Sequence, residues 1–181
     1  MKRILIIVII TLVSCSDKVN EEKLMSLNID KLYLSDQEDR KNNEINNWSI
    51  VSKRDEFRRK RVGQLIDSNK IISAKDYAKA AMIFQHGVDS SDYLKAVEFM
   101  KTAMKIDSTV NKSLFAAATD RYLLSIGKPQ VYGTQYIQEG NGTWELKNYD
   151  TTAISDEEKK RFGVGSLNEQ MEKLKELNKG N

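Results

Sequence analysis

A single cysteine, Cys15, leaves no second thiol for a disulfide within the chain, so covalent cross-linking is excluded as a source of stability. A single histidine, His86, and the absence of HExxH or CxxC spacing leave only carboxylates for a metal, so no metal site is expected. No Walker A loop, no GxGxxG and no G-x-S-x-G elbow occurs, so no nucleotide or other cofactor is expected either. The one proline, Pro129, leaves long stretches without a helix breaker. The formal charge is only +3, too little for the basic face that nucleic acid requires. No apolar run approaches the roughly 20 residues of a membrane span.

What is present begins at the N-terminus. Met1-Lys2-Arg3 is positive, Ile4 to Val13 is apolar, and Leu12-Val13-Ser14-Cys15 closes the run. This order reads as a lipoprotein signal peptide over 1–14, with Cys15 acylated as the first mature residue. Attachment to the membrane is then through lipidated Cys15, since each buried methylene contributes about 0.8 kcal/mol and several acyl chains hold stably. Loss of Lys2 and Arg3 lowers the charge from +3 to about +1. Ser16, rather than an aspartate, after the cysteine points to the outer membrane by the sorting pattern of enteric bacteria. A tether is expected over 15–22 and a single helical domain over 23–178.

The fold class expected is mainly α, an antiparallel bundle of stacked helix hairpins with one small β-hairpin near 134–146. A helix is read from Glu21 to Leu34, with Asp36 to Arg40 continuing or closing it, and a loop from Lys41 to Asn47. Ser52 or Asp55 opens the next, with Lys53, Arg54, Arg58, Arg59, Lys60 and Arg61 away from its apolar side, as a solvated face or a lipid headgroup contact. Ser73 to Asp76 reads as a capping box for a helix ending at Gly87. Asp89 caps a helix on which Tyr93, Val97, Met100 and Met104 form an apolar stripe. Asn111 or Ser113 starts a third helix, ending at Ile126. Short connections make neighbouring helices antiparallel.

Gly127 and Pro129 stop that third helix, and Tyr132 to Gln135 then reads as entering a strand. Thr134–Gln138 and Thr143–Leu146 flank Glu139-Gly140-Asn141-Gly142, whose glycines and asparagine supply the positive φ of a hairpin turn. Ser155 and Ser166 open two terminal helices as capping boxes.

The stretch DRYLLSIGKPQVYGTQ (Asp120 to Gln135), with AAMIFQHG (Ala80 to Gly87), SDYLKAVEFM (Ser91 to Met100) and Trp144, Leu146, Tyr149 and Asp150, resembles the signature of a family of uncharacterised bacterial proteins, a domain of unknown function. The resemblance covers the chain from about Asp36 onward and implies no chemistry.

If the helices ending at His86 and Ile126 run the same way, their C-terminal ends meet. A polar cluster of His86, Arg121, Gln130 and Gln135 is then expected, near Gln85 and Tyr132, with Asp120 one turn away as charge partner for an arginine. As structure it would lock the hairpin to the bundle. As function it would be an anion- or amide-binding cleft, with Gln85, Gln130, Tyr132 and Gln135 as binding residues. The leading expectation is a lipid-anchored envelope lipoprotein whose helical module binds an envelope protein. The alternative is a hydrolase-like envelope enzyme with His86, Asp120 and Arg121 catalytic. A purely anchoring accessory role is the third. A broad apolar groove favours the first and a deep polar cleft at His86 the second.

Overall fold

A computed structural model of the chain describes residues 21–41, 47–140 and 142–179. The segment expected to be a signal peptide, Cys15, most of the asparagine-rich loop and Asn141 lie outside the described residues. The helices are α1 (Glu21–Ser26), α2 (Ile29–Lys41), α3 (Trp48–Asp67), α4 (Ala74–Gln85), α5 (Ser90–Ile106), α6 (Ser113–Ser125), α7 (Asp156–Arg161) and α8 (Leu167–Leu177). The strands β1 (Ile137–Gln138) and β2 (Trp144–Glu145) form one antiparallel hairpin. The mainly helical architecture with its one small hairpin is as the sequence implies.

Two helix starts differ from the sequence reading. The first helix breaks at Leu27 and Asn28, because the Asn28 side chain accepts the Lys31 N–H at 3.0 Å and restarts the helix as α2. α3 starts at Trp48 rather than at Ser52 or Asp55, because the Asn47 side chain accepts from Ser49 N–H. Ser73–Asp76 and Ser166–Glu169 form full capping boxes. Ser155 makes the half bond that accepts Glu158 N–H. α6 ends in a Schellman motif: Lys128 N–H donates to Leu123 C=O at 2.9 Å and Gly127 N–H to Leu124 C=O at 3.1 Å. Gly127 takes φ +73°, which its missing Cβ allows.

The helix directions follow from side-chain pairs. Asp30 meets Lys79 and Asp36 meets His86, so α2 runs parallel to α4. Leu27, Ser35 and Asp39 meet Arg61, Arg58 and Arg54, so α3 runs back along α2. α4 packs closely against α5. Gln85 meets Arg121, the seventh residue after Leu114, and Leu114 shares a cleft with Ala78, so α6 again runs parallel to α4. The C-terminal ends of α2, α4 and α6 therefore share one end of the bundle.

The main core gathers Ile29, Leu32, Val62, Leu65, Ile71, Ala80, Ile83, Phe84, Ala96, Val97 and Ala118, all buried. Fully burying a side chain such as Leu32 or Ile83 contributes about 1.5–3 kcal/mol. A second, aromatic centre lies under the C-terminal part, where Tyr132 packs on Phe115 and Phe162 at centroid distances of 6.4 and 5.2 Å. The hairpin is secured by α8: Asn178 Oδ1 accepts Trp144 N–H at 2.8 Å, and its amide donates to Trp144 C=O at 3.0 Å. This extends a two-strand ladder that would be marginal in water.

Candidate functional site

Residues 132–136 form no strand, contrary to the sequence reading, and β1 begins only at Ile137. Their amides are used elsewhere. The Asp120 carboxylate, wholly buried, accepts the N–H groups of Val131 (2.8 Å), Tyr132 (2.9 Å) and Thr134 (2.9 Å) and the Thr134 hydroxyl (2.7 Å). Gln130 Oε1 accepts Gln135 N–H at 3.0 Å. Its Nε2 donates to the carbonyls of Gln135 and Lys147. A carboxylate and a carboxamide thus occupy the donors that a ladder would need. Asp120 makes no ion pair among the described residues, so the arginine partnership expected from sequence is replaced by backbone amides.

Arg121, the next residue, turns the other way. Its Nε donates to Gln135 Oε1 at 3.2 Å and its Nη1 to Gln85 C=O at 2.6 Å. Its guanidinium lies 5.8 Å from the Tyr93 ring centroid. Burial holds Arg121 below its ordinary value; Tyr93 opposes this and the like charge of Arg40 reinforces it. Among the described residues no carboxylate pairs with Arg121.

His86 sits one residue beyond Gln85 but faces α2. Its Nδ1 lies 3.0 and 3.1 Å from the two oxygens of Asp36. Its carbonyl accepts from Arg59 at 3.2 Å, and Arg59 pairs with Asp92 at 3.0 Å. Asp36 is itself wholly buried and also pairs with Arg40 at 2.9 Å. Burial would raise the Asp36 carboxyl, but the hydrogen bond and charge of His86, with Arg40, hold it below the ordinary carboxylate range.

From Arg40 the charges continue. Arg40 pairs with Asp55 (2.5 Å), Asp55 with Arg58 (2.6 Å), Arg58 with Asp39, and Asp39 with Arg54 (2.8 Å). Arg58 has no exposed surface, so this part of the basic run on α3 is an inward ion network rather than a solvated or lipid-facing one. The sequence reading did not assign Asp36, Arg40 or Asp55 to any site, and it placed Arg58 on a solvated or lipid-facing surface. The signal was there: Asp36, Asp39 and Arg40 recur at helical spacing, as do Asp55, Arg58 and Arg59, matching charge for charge.

The expected cluster is therefore partly assembled. Arg121, Gln135, Gln130 and the Gln85 carbonyl are joined by hydrogen bonds, and His86 adjoins them while bonding to Asp36. The Tyr132 side chain is not in the cluster. It is buried on Phe115 and Phe162, and burial, with Glu158 and Asp120, raises its phenol to about 12, so it acts as packing. The Gln85 side chain, 5% exposed, has its Oε1 without a hydrogen-bond partner.

Two adjoining clefts flank α4 and α6. One of about 570 Å³ is lined by Leu114, Ala117, Tyr136, Val164 and Gln170; one of about 320 Å³ by Tyr33, Ala78 and Met100. They share Met82, Ser113 and Leu114, which makes them one largely apolar groove. Among the described residues there is no group of three or more His, Cys, Asp or Glu that could hold a metal, and no helix is long and apolar enough to cross a membrane. No family model, no curated protein and no solved structure matches the chain.

Proposed function

We propose that the protein is a lipid-anchored lipoprotein of the bacterial envelope, held to the outer membrane by acylated Cys15, whose helical domain binds an envelope protein. We also infer membership of the uncharacterised family that its QHG and DRYLLSIGKPQVYGTQ motifs resemble. The observation that carries the binding role is the apolar groove through Met82 and Leu114. Concave, largely apolar surfaces with a few polar groups at their edge are what partner side chains fill.

The hydrolase-like reading with His86, Asp120 and Arg121 loses one member. Asp120 accepts four hydrogen bonds and has no capacity left for a reacting group. Asp36 would replace it, as the carboxylate that orients His86. The groove supports binding more directly.

Cells expressing wild type, Cys15→Ala and Leu114→Glu test both parts. Cys15→Ala is expected to leave the membrane fraction. Leu114→Glu is expected to stay in it at normal abundance and to lose in-cell cross-links placed at the groove. Membrane attachment unchanged by Cys15→Ala would refute the anchor. Cross-links that survive Leu114→Glu would refute the groove.

A further inference from the structure

At the end of the bundle where α2, α4 and α6 terminate, four arginines and one histidine meet four aspartates, and a fifth arginine, Arg121, lies beside them. Arg40, Arg54, Arg58 and Arg59 each pair with one or more of Asp36, Asp39, Asp55 and Asp92, and His86 lies on Asp36. Among the described residues at this end, Arg121 is the arginine without a carboxylate. A largely buried cation without a counter-charge is costly, and the cost falls when an anion reaches it.

Two bonds orient Arg121 and leave its Nη2 donors open among the described residues. Nε and Nη1 each make one hydrogen bond, to Gln135 and to Gln85 C=O, and the Tyr93 ring supports the guanidinium plane. The Nη2 end makes none to a described residue. A guanidinium held in this way is preorganised to receive an oxyanion.

Gln85 is the second, independent sign. Its carboxamide is nineteen parts in twenty buried, and its buried Oε1 has no partner. The oxygen and nitrogen of a carboxamide are assigned from their surroundings, so the reverse orientation turns a donor, Nε2, to this point, and a donor can meet an oxyanion. Buried polar atoms of this kind call for a ligand or an ordered water. Gln85 follows Met82 and Ala78 on one face of α4, and Arg121 follows Ala117 and Leu114 on one face of α6. Both therefore lie one turn beyond the lining of the groove, toward the shared helix ends. The negative ends of the helices do not repel an anion from this point unopposed. The last carbonyls of α4 are already met by Arg59 and Arg121.

From this geometry we infer a binding site for a compact oxyanion, a carboxylate or a phosphate group, received by the Arg121 fork with Gln85 as its second polar contact and His86 at its edge. The inference does not depend on what occupies the groove. The Leu114→Glu variant that empties the groove should leave anion binding in place.

The test uses the full chain in detergent, titrated with inorganic phosphate and, separately, with acetate, against chloride at equal ionic strength. The readouts are the side-chain NMR signals of Arg121 Nε and the Gln85 carboxamide, and the melting temperature. One or both oxyanions are expected to move these signals and raise the melting temperature beyond the chloride control. The stronger arm identifies phosphate or carboxylate as the natural group. Arg121→Gln should weaken binding about tenfold or more, the loss of a charge-assisted hydrogen bond. Arg121→Lys keeps the charge and loses the fork, and serves if Arg121→Gln does not fold. Gln85→Met should raise the melting temperature without ligand, because it removes an unsatisfied polar group, and should weaken anion binding. Signals that respond to oxyanions no more than to chloride would overturn the inference. Equal affinity in wild type and both Arg121 variants, or a lowered melting temperature in Gln85→Met, would do the same.

Discussion

Two wholly buried carboxylates, Asp36 and Asp120, stand at the same end of the bundle and are compensated in opposite ways. Asp36 is met by two side chains, His86 and the cation Arg40, and the network leads on from Arg40 through Asp55 and Arg58 to Asp39. Asp120 is met by three backbone N–H groups and one hydroxyl. The first arrangement ties α2, α3 and α4 together and leaves the backbone alone. The second defines the path of residues 130–135 and takes no side-chain charge. Charge on charge is sensitive to pH and salt. Charge on amides is sensitive to the conformation of one loop. The same residue type thus joins helices in one region and shapes a loop in the other.

The comparison breaks most clearly at Asp120. Asp120→Ala leaves three amides without their acceptor and should cost on the order of 4 kcal/mol, several charged-acceptor bonds at once. Denaturant unfolding measures the loss. Hydrogen exchange should show it centred on 130–136 and the hairpin. A loss below about 1 kcal/mol, or one spread evenly over α2 to α6, would show that the loop holds its own shape.

Asp36→Asn should cost less, about 2 kcal/mol, because Arg40 keeps Asp55 as a partner. Its signature is pH. The Asp36 carboxyl is lowered in the folded chain. Its contribution is therefore full above the unfolded-state value and is lost as pH falls through the folded one. The stability difference between wild type and Asp36→Asn should shrink below about pH 4 and be constant above about pH 6. A difference that grows as pH falls would reverse the assignment.

The smallest effect is expected at the rim of the network. Arg54 is about a third exposed and pairs with Asp39 at 2.8 Å. Arg54→Gln should cost under about 1 kcal/mol, and less at high salt. The Asp120→Ala cost should not change with salt. Matching salt dependence in the two variants would erase the distinction.

Much of this architecture was legible in the chain. The Ser73 and Ser166 boxes, the Asp89 cap and the Gly127 stop act over a few residues, so their letters suffice. The shared end of α4 and α6 followed from short connections, and the bond from Arg121 to the Gln85 carbonyl realises it. The partners were harder to read. Asp120 beside Arg121 invites an ion pair in one dimension. In the fold the two side chains leave α6 in different directions, one toward the loop and one toward α4. His86 looked destined for Arg121, but its partner Asp36 lies 50 positions earlier, on a helix brought alongside only by packing.

By itself, the sequence determined which segments are helical, where most of them are capped, and where a hairpin turns, because those depend on propensity, periodicity and local hydrogen bonds. The proposed lipid anchor rests on the order of charge, apolar run and cysteine from Met1 to Cys15 alone. It took the tertiary structure to turn Arg58 of the basic run on α3 inward, to keep 132–136 out of a strand, and to leave Arg121 without a carboxylate among the described residues. Each is a competition among distant groups for a limited set of buried partners, and its outcome depends on which helices lie side by side.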